Sequence, residues 1–325
     1  MKVLFTSVGR RVELIQEFRR AANELNIDLI IIGADIVFDA PALCFCDETM
    51  IVCRINDENY IPQLLNFCGN NGVDCLIPTI DTDLLLLAEN KESFERIGTK
   101  VLISAADKVR LCRDKNYTAD YFVSIGLKSP LPVNSVEKYH EAMEHGKVSF
   151  PAFIKPKDGS SSINAYKVET IDDLKLYAEK IKDYIIQPFI SGKEYTIDIF
   201  CDYEGNPVYI TPRERLAVRS GEVLKTRITQ DDTMIAEMLK LIADYKPCGQ
   251  ITVQLIQDEK TGDNYYIEIN PRFGGGAPLS IKAGADSAKA VLKMLNGEKL
   301  TYQDKAARDG SIYSRFDQSV CVNEG

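Results

Sequence analysis

The chain has 325 residues, 45% hydrophobic and 27% charged, which suits a soluble globular protein of two or three structural units with a sizeable core. Its net charge of −9 argues against nucleic acid or an anionic membrane as the main partner, while leaving room for a local basic pocket. No run of 18 apolar residues occurs, and the apolar stretch before Gly9-Arg10-Arg11 is too short for a signal peptide, so a cytoplasmic location is expected. Nine scattered cysteines without a C-x-x-C pair read as reduced core thiols, and with only His140 and His145 a histidine-based zinc site is not expected.

The first hundred residues alternate strand and helix. Strands are expected over Lys2 to Val8, Leu29 to Ile32 (running on to Gly33-Ala34-Asp35), Thr49 to Cys53, Cys75 to Pro78 and Val101 to Ser104. Helices are expected over Arg11 to Leu25, Ile61 to Cys68 and Leu84 to Phe94. This rhythm implies a small parallel sheet with helices on both faces. The dinucleotide fingerprint is absent, because the first turn, Ser7-Val8-Gly9-Arg10-Arg11, has one glycine where three are needed. Gly9 to Arg11, Asp35 and Pro78 to Asp81 still fall at the carboxyl ends of strands, where open sheets bind ligands. A substrate subsite fits them, and so do ordinary surface loops, with Asp81 capping the next helix.

From about Ala106 the character changes. One helix is expected over Asp107 to Ile125, with Asp114-Lys115 in its middle, and another over Val136 to Glu144. A strand from Phe150 to Pro156 carries Lys155 into a turn containing Gly159, Ser160 and Ser161. A lysine ammonium suits phosphate oxygens, and the amides of a Gly/Ser turn can donate to them; an exposed hairpin is the plainer reading. Strands follow over Ala165 to Val168, Tyr184 to Ile190 and Glu194 to Asp202, with a helix over Ile171 to Ile181. Arg213, Arg215, Arg219, Lys225 and Arg227 form a basic cluster whose inward members the sequence does not identify. Ile251 to Gln257 and Tyr265 to Asn270 read as a hairpin around the turn Asp258 to Asp263. Alternation puts Glu268 and Asn270 on one face, with Gln254 midway along the partner strand. One carboxylate and two amide oxygens suit Mg²⁺, which completes its coordination with waters and phosphates. Arg272 adds a fixed positive charge; a solvated hairpin with a polar tip is the bland alternative.

The order Gln254, then Glu268-x-Asn270-Pro271-Arg272 fourteen positions on, resembles the metal-binding end of the ATP-grasp family. It looks most like the ATP-grasp halves of carbamoyl phosphate synthase large chain, with biotin carboxylase more distant. The resemblance covers about Asp107 to Leu295. It implies an α/β (α+β ATP-grasp) fold: a Rossmann-like parallel-sheet domain over 1–106, then an ATP-grasp domain over 107–325. The latter would comprise a small lid subdomain over about 107–186 and a C-terminal subdomain over about 187–325.

The resemblance also implies roles. Lys115 and Lys155 would hold phosphates under the loop of Gly159, Ser160 and Ser161. Gln187, Phe189 and Ile190 would form the adenine hinge, and Glu194 would hold the ribose. Lys225 and Arg227 would stand near the γ-phosphate as catalytic residues. Gln254, Glu268 and Asn270 would bind one or two Mg²⁺ ions, or Mn²⁺ in their place. Arg272 would steady an acyl phosphate, and Phe273 to Pro278 would leave space for a carboxylate substrate. The implied activity is ATP-dependent activation of a carboxylate for attack by an amine. With one ATP-grasp unit and no evident amidotransferase segment, the chain resembles stand-alone carboxylate–amine ligases more than a maker of carbamoyl phosphate. A small-molecule kinase and a non-catalytic ATP-binding regulatory module are the alternatives. Small-molecule substrates are expected, with no nucleic acid and no membrane, and a homo-oligomer stays open.

Overall fold

The computed structural model describes residues 1–157 and 164–322. Its first sheet is parallel and runs in the order β3-β2-β1-β4-β5, with β1 at Lys2–Thr6, β2 at Ile30–Asp35, β3 at Glu48–Ile51, β4 at Cys75–Pro78 and β5 at Lys100–Val101. These strands are apolar on both faces because helices cover both. On one side α1 (Val12–Leu25) packs Phe18 edge-on against Phe5 at 4.9 Å. On the other, α2 (Tyr60–Asn71) places Leu64 in a cluster with Leu4, Ile32 and Leu76. The expected helix Leu84 to Phe94 is two helices, α3 (Leu84–Glu89) and α4 (Lys91–Arg96), parted where the Asn90 side chain donates back to Leu86 O.

The strand order reverses between β1 and β4, so the loops after these two strands diverge and open a crevice at their carboxyl ends. Gly9 to Arg11 and Thr79 to Asp81 lie there. Asp35 braces the first of these loops by accepting from Gly9 N at 2.8 Å.

The expected helix Asp107 to Ile125 is also two, α5 (Ala106–Arg113) and α6 (Lys115–Ser124). Asp114 is extended (ψ 117°) and caps α6 by accepting from Asn116 N, so the capping aspartate ends one helix and starts the next. A three-stranded antiparallel sheet follows, ordered β7-β6-β8, from β6 (Ala152–Pro156), β7 (Tyr166–Val168) and β8 (Tyr184–Pro188). Helices α7 (Val136–Glu144) and α8 (Ile171–Lys180) share its core through Tyr139, Ile154, Leu174 and Ile186.

The largest sheet has six strands in the order β13-β12-β9-β10-β11-β14. These are β9 (Gly192–Cys201), β10 (Pro207–Arg219), β11 (Glu222–Ile228), β12 (Gly249–Asp258), β13 (Asn264–Asn270) and β14 (Ile312–Ser314). Helix α9 (Asp232–Tyr245) shares a core with one face through Tyr195, Ile197, Ile199, Val253, Leu255 and Ile269. Short helices α10 (Ala277–Ala283) and α11 (Ser287–Leu295) join α1 in the cluster that links this sheet to the first. The mixed α/β class and its parallel and antiparallel sheets are as the sequence led one to expect. Among the described residues no helix is long and apolar enough to cross a membrane.

Candidate functional site

Alternation along β9, β10 and β12 sends the residues between the α9-facing apolar ones to the other face of the six-stranded sheet. Register lines them up: Glu268, Gln254, Thr196 and Arg213 stand opposite one another across four strands, and Asn270, Thr252, Asp198 and Thr211 form the adjacent row. This polar face is the candidate site.

The corner that carries Gln254, Glu268 and Asn270 depends on a bulge. Gln254 pairs with Glu268, but Leu255 pairs with Tyr266, so Ile267 is an extra residue in β13. Buried Tyr266 and Ile269 can therefore both face the core while Glu268 and Asn270 face the site. Asn270 Nδ2 donates to Glu268 Oε1 at 3.0 Å. That contact orients the amide so that its oxygen is left for a cation. One carboxylate and two amide oxygens on a shared face match the oxygen-rich, partly open coordination of Mg²⁺.

Lys155 on β6 lies close to this corner. Burial pushes its ammonium down to about 8, Glu268 opposes that shift, and Lys115 adds to it. Lys115, the first residue of α6, donates to Lys157 O at 3.1 Å, and Lys157 Nζ lies 3.0 Å from Asp114. The capping turn at Asp114 thus holds Lys115 against the end of the Lys155 strand. Gly159, Ser160 and Ser161 lie outside the described residues.

The residues expected at the hinge stand in different surroundings. Gln187 is buried and its amide donates to Pro130 O, so this side chain ties β8 to the preceding loop and is not turned toward an adenine. Phe189 lies under Lys167 Nζ, 4.7 Å from the ring centroid, and Ile190 is partly buried beside it. Glu194 shares the site face, with Oε2 at 3.3 Å from Arg215 Nε.

Two catalytic expectations need correction. Arg227 pairs across strands with Glu214, 3.3 Å away, and Glu214 alternates to the face opposite Arg213 and Arg215. Lys225 is exposed, and its strand lies four strand spacings from that of Glu268, roughly 19 Å along the sheet. Neither is brought to the corner of Gln254, Glu268 and Asn270. Arg215 is the arginine near enough to interact with Glu268, and Arg213 lies on the same sheet face beside Asp198. Arg213 is 1% exposed; its Nε donates to Asp198 at 2.7 Å. Asp198 also accepts from Ser280 Oγ (2.5 Å) and Thr252 Oγ1 (3.2 Å). Arg213 Nη1 is buried without a partner among the described residues. Burial lowers Arg215 below its ordinary value, with Glu194 and Glu268 opposing. The signal for both was present: Arg-x-Arg in a strand puts both side chains on one face.

Arg272 lies at the junction with the parallel sheet. Its Nη2 meets Asp81 Oδ2 at 2.5 Å, so Asp81 reaches across to it and does not cap a helix. Arg272 Nη1 donates to Phe273 O at 3.2 Å, while Nε is buried without a partner among the described residues. The glycines that follow do not leave vacant space, which corrects that expectation. A Cβ on Gly274 would lie 2.9 Å from Thr252 Oγ1; on Gly275, 2.3 Å from Glu222 Oε2 and 2.9 Å from Arg11 Nη1; on Gly276, 2.8 Å from Arg213 Nη2. Glycine there lets four polar side chains close on the loop.

Comparison with known proteins agrees with this architecture. Residues 3–102 match the family model "PylC-like, N-terminal domain", and residues 180–316 match "ATP-grasp in the biosynthetic pathway with Ter operon". The N-terminal section of carbamoyl phosphate synthase large chain from Aquifex aeolicus is 28% identical over 297 residues, 82% of this chain and 52% of that protein. D-alanine–D-alanine ligase from Francisella tularensis subsp. tularensis is 30% identical over 192 residues, 55% of this chain and 64% of that one. The chain thus spans about half to two-thirds of the length of these curated relatives. Among solved structures, the biotin carboxylase domain of Hydrogenobacter thermophilus 2-oxoglutarate carboxylase, in complex with MgADP, ADP and bicarbonate, superposes with a TM-score of 0.75. It is 20% identical, with 96% of this chain and 73% of that chain covered. N5-carboxyaminoimidazole synthetase from Staphylococcus aureus gives 0.71 at 17% identity, covering 92% and 78%. The chain is thus similar to PylC-like N-terminal domains over residues 3–102 and to an ATP-grasp family over residues 180–316, and it shares the fold of the biotin carboxylase domain.

Proposed function

We propose that this protein is an ATP- and Mg²⁺-dependent ligase that activates a small-molecule carboxylate as an acyl phosphate for attack by an amine. The observation that carries the reading is the shared face of Gln254, Glu268 and Asn270, with Lys155 near enough to interact with Glu268. Arg272 follows two residues later. The relatives named above point the same way.

In this reading a carboxylate oxygen of the substrate attacks the γ-phosphorus of ATP. The bond from that phosphorus to the β–γ bridging oxygen breaks, and ADP leaves. The amine then attacks the acyl carbon, the acyl C–O bond breaks, phosphate departs, and the amine proton passes to solvent. No covalent enzyme nucleophile is needed, so catalysis is positioning and electrostatic stabilisation. Glu268, Asn270 and Gln254 would hold the Mg²⁺, which offsets phosphate charge when bound. Lys155 and Lys115 would hold phosphate oxygens, Glu194 the ribose, and Phe189 and Ile190 would pack on the purine. Arg272, fixed by Asp81, would steady the acyl phosphate. Arg215, between Glu194 and Glu268, takes the place assigned from sequence to Lys225 and Arg227.

ADP and phosphate release measured over a panel of carboxylates and amines tests the proposal. Release of both, dependent on a carboxylate and an amine together, is expected. ADP with a stable phosphorylated product would make the protein a kinase. Nucleotide binding with no release under any pairing would make it a regulatory module.

A further inference from the structure

The crevice between the parallel sheet and the glycine run holds a second cationic group. Arg11 follows the first strand's loop and stands just before α1. Its Nη2 donates to Thr79 O at 3.2 Å, which anchors the guanidinium across the point where the strand order reverses. Its Nη1 lies against Gly275, where any Cβ would come within 2.9 Å. Arg11 is therefore placed by one domain and presented at the loop of the other.

Its charge is poorly matched. The nearest carboxylate, Glu222, is 3.9 Å away, half exposed, and hydrogen-bonded by Arg315 at 3.2 Å. Arg272, whose proximity together with burial lowers Arg11 below its ordinary value, already has Asp81 as its own partner. Two guanidiniums thus share a crevice, 20% and 13% exposed, with Asp81 committed to Arg272 and Glu222 shared with Arg315. Like charges in such a place raise the free energy until an anion joins them. The flat fork of an arginine fits a carboxylate through two parallel hydrogen bonds.

We propose that Arg11 is a specificity-determining residue that binds a carboxylate of the substrate other than the one being activated. The inference rests on the ligase reading above. It narrows the substrates to a pair in which either the activated acid is a dicarboxylate or the amine is an amino acid. A neutral substrate end would leave the guanidinium unpaired, which is a strong basis for rejection.

The test uses the full chain saturated with MgADP, so that phosphate sites are filled. The thermal midpoint is followed as succinate is added, against sodium chloride at matched ionic strength. Wild type should gain stability with succinate. Arg11→Met should lose that gain while keeping the shift caused by MgADP. Arg11→Lys, which keeps the charge without the fork, should retain part of it and guards against a folding defect in the first variant. An equal succinate response in wild type and Arg11→Met, or none in wild type, overturns the proposal. Absence of a MgADP shift in wild type instead overturns the ATP reading itself. Phosphate release then identifies the source of the carboxylate: turnover of a dicarboxylate with ammonium assigns it to the acid, and turnover of a monocarboxylate with an amino acid assigns it to the amine. In either case Arg11→Met should raise KM for that substrate about tenfold or more with little change in kcat. A fall in kcat with KM unchanged counts against recognition by Arg11.

Discussion

The parallel sheet and the six-stranded antiparallel sheet put their polar residues in different places. The parallel sheet is apolar on both faces and contributes to the crevice only through loops at its carboxyl ends, by Arg11, Thr79 and Asp81. The antiparallel sheet is apolar on one face and carries Glu194, Asp198, Arg213, Arg215, Gln254, Glu268 and Asn270 within its strands. A group in mid-strand is fixed by register with neighbours on both sides. A group on a loop is fixed by a few side-chain contacts. The chemistry should therefore reside in the strands and the selectivity in the loops.

The sharpest way to break this comparison is Glu268→Gln, which removes one charge and nearly preserves shape. Phosphate release should fall by about 10²–10⁴, as expected if about 3–5 kcal/mol of transition-state stabilisation is lost, while the melting temperature stays close to wild type. Normal turnover by the folded variant would remove Glu268 from the chemistry. Next comes Asp198→Ala. It leaves Arg213 buried without its carboxylate, so unfolding in denaturant should show a loss of about 3–5 kcal/mol. A loss under about 1 kcal/mol would mean that the mid-strand ion pair is no more binding than a surface one.

Lys155 sharpens the same contrast through pH. Its folded value of about 8 lies below the ordinary 10.5, so the fold disfavours the ammonium. That unfavourable contribution is fully present below about 8 and is lifted as pH rises toward 10.5, so from this group alone the free protein gains stability over that window. Nucleotide binding should run the opposite way, because phosphate needs the charged form: ATP affinity should weaken by up to about tenfold per pH unit above 8. Titration calorimetry giving the same slope for wild type and Lys155→Met would discard Lys155 as the phosphate contact. The smallest effect is expected at the loop. Asp81→Ala breaks a pair whose carboxylate is 36% exposed, so stability should fall by less than about 1 kcal/mol. The effect should appear instead in KM for the carboxylate substrate, and an unfolding loss above 2 kcal/mol would erase the distinction between strand and loop.

Much of the site could be read because its motifs lie within single strands. Glu268, Asn270 and Gln254 follow from alternation and one short turn. What escaped the sequence depends on contacts between distant segments. Arg213 is legible as buried only when Asp198, fifteen residues earlier, is known to stand beside it. Gln187 stands where the resemblance implies an adenine hinge, yet Pro130 takes its amide. Arg227 has the expected residue type but shares its face with Glu214, opposite Arg213 and Arg215. The helix break at Asp114 was hidden because the residues on both sides of it favour helix, and only the capping contact reveals it. Asp81 read as a cap because nothing local points to Arg272, almost two hundred residues away.

The extra residue at Ile267 makes strand length itself a constraint on this protein. Tyr266 and Ile269 are three apart, an odd interval, and they share a face only because the strand changes phase between them. Removing one residue from 265–268 would restore regular alternation and force a choice between a core-facing Tyr266 and a Glu268 on the polar face. Inserting or removing residues in the turn at 259–262 leaves that phase untouched. Variation in this hairpin is therefore tolerated by position and parity, whatever the chemical nature of the residues exchanged.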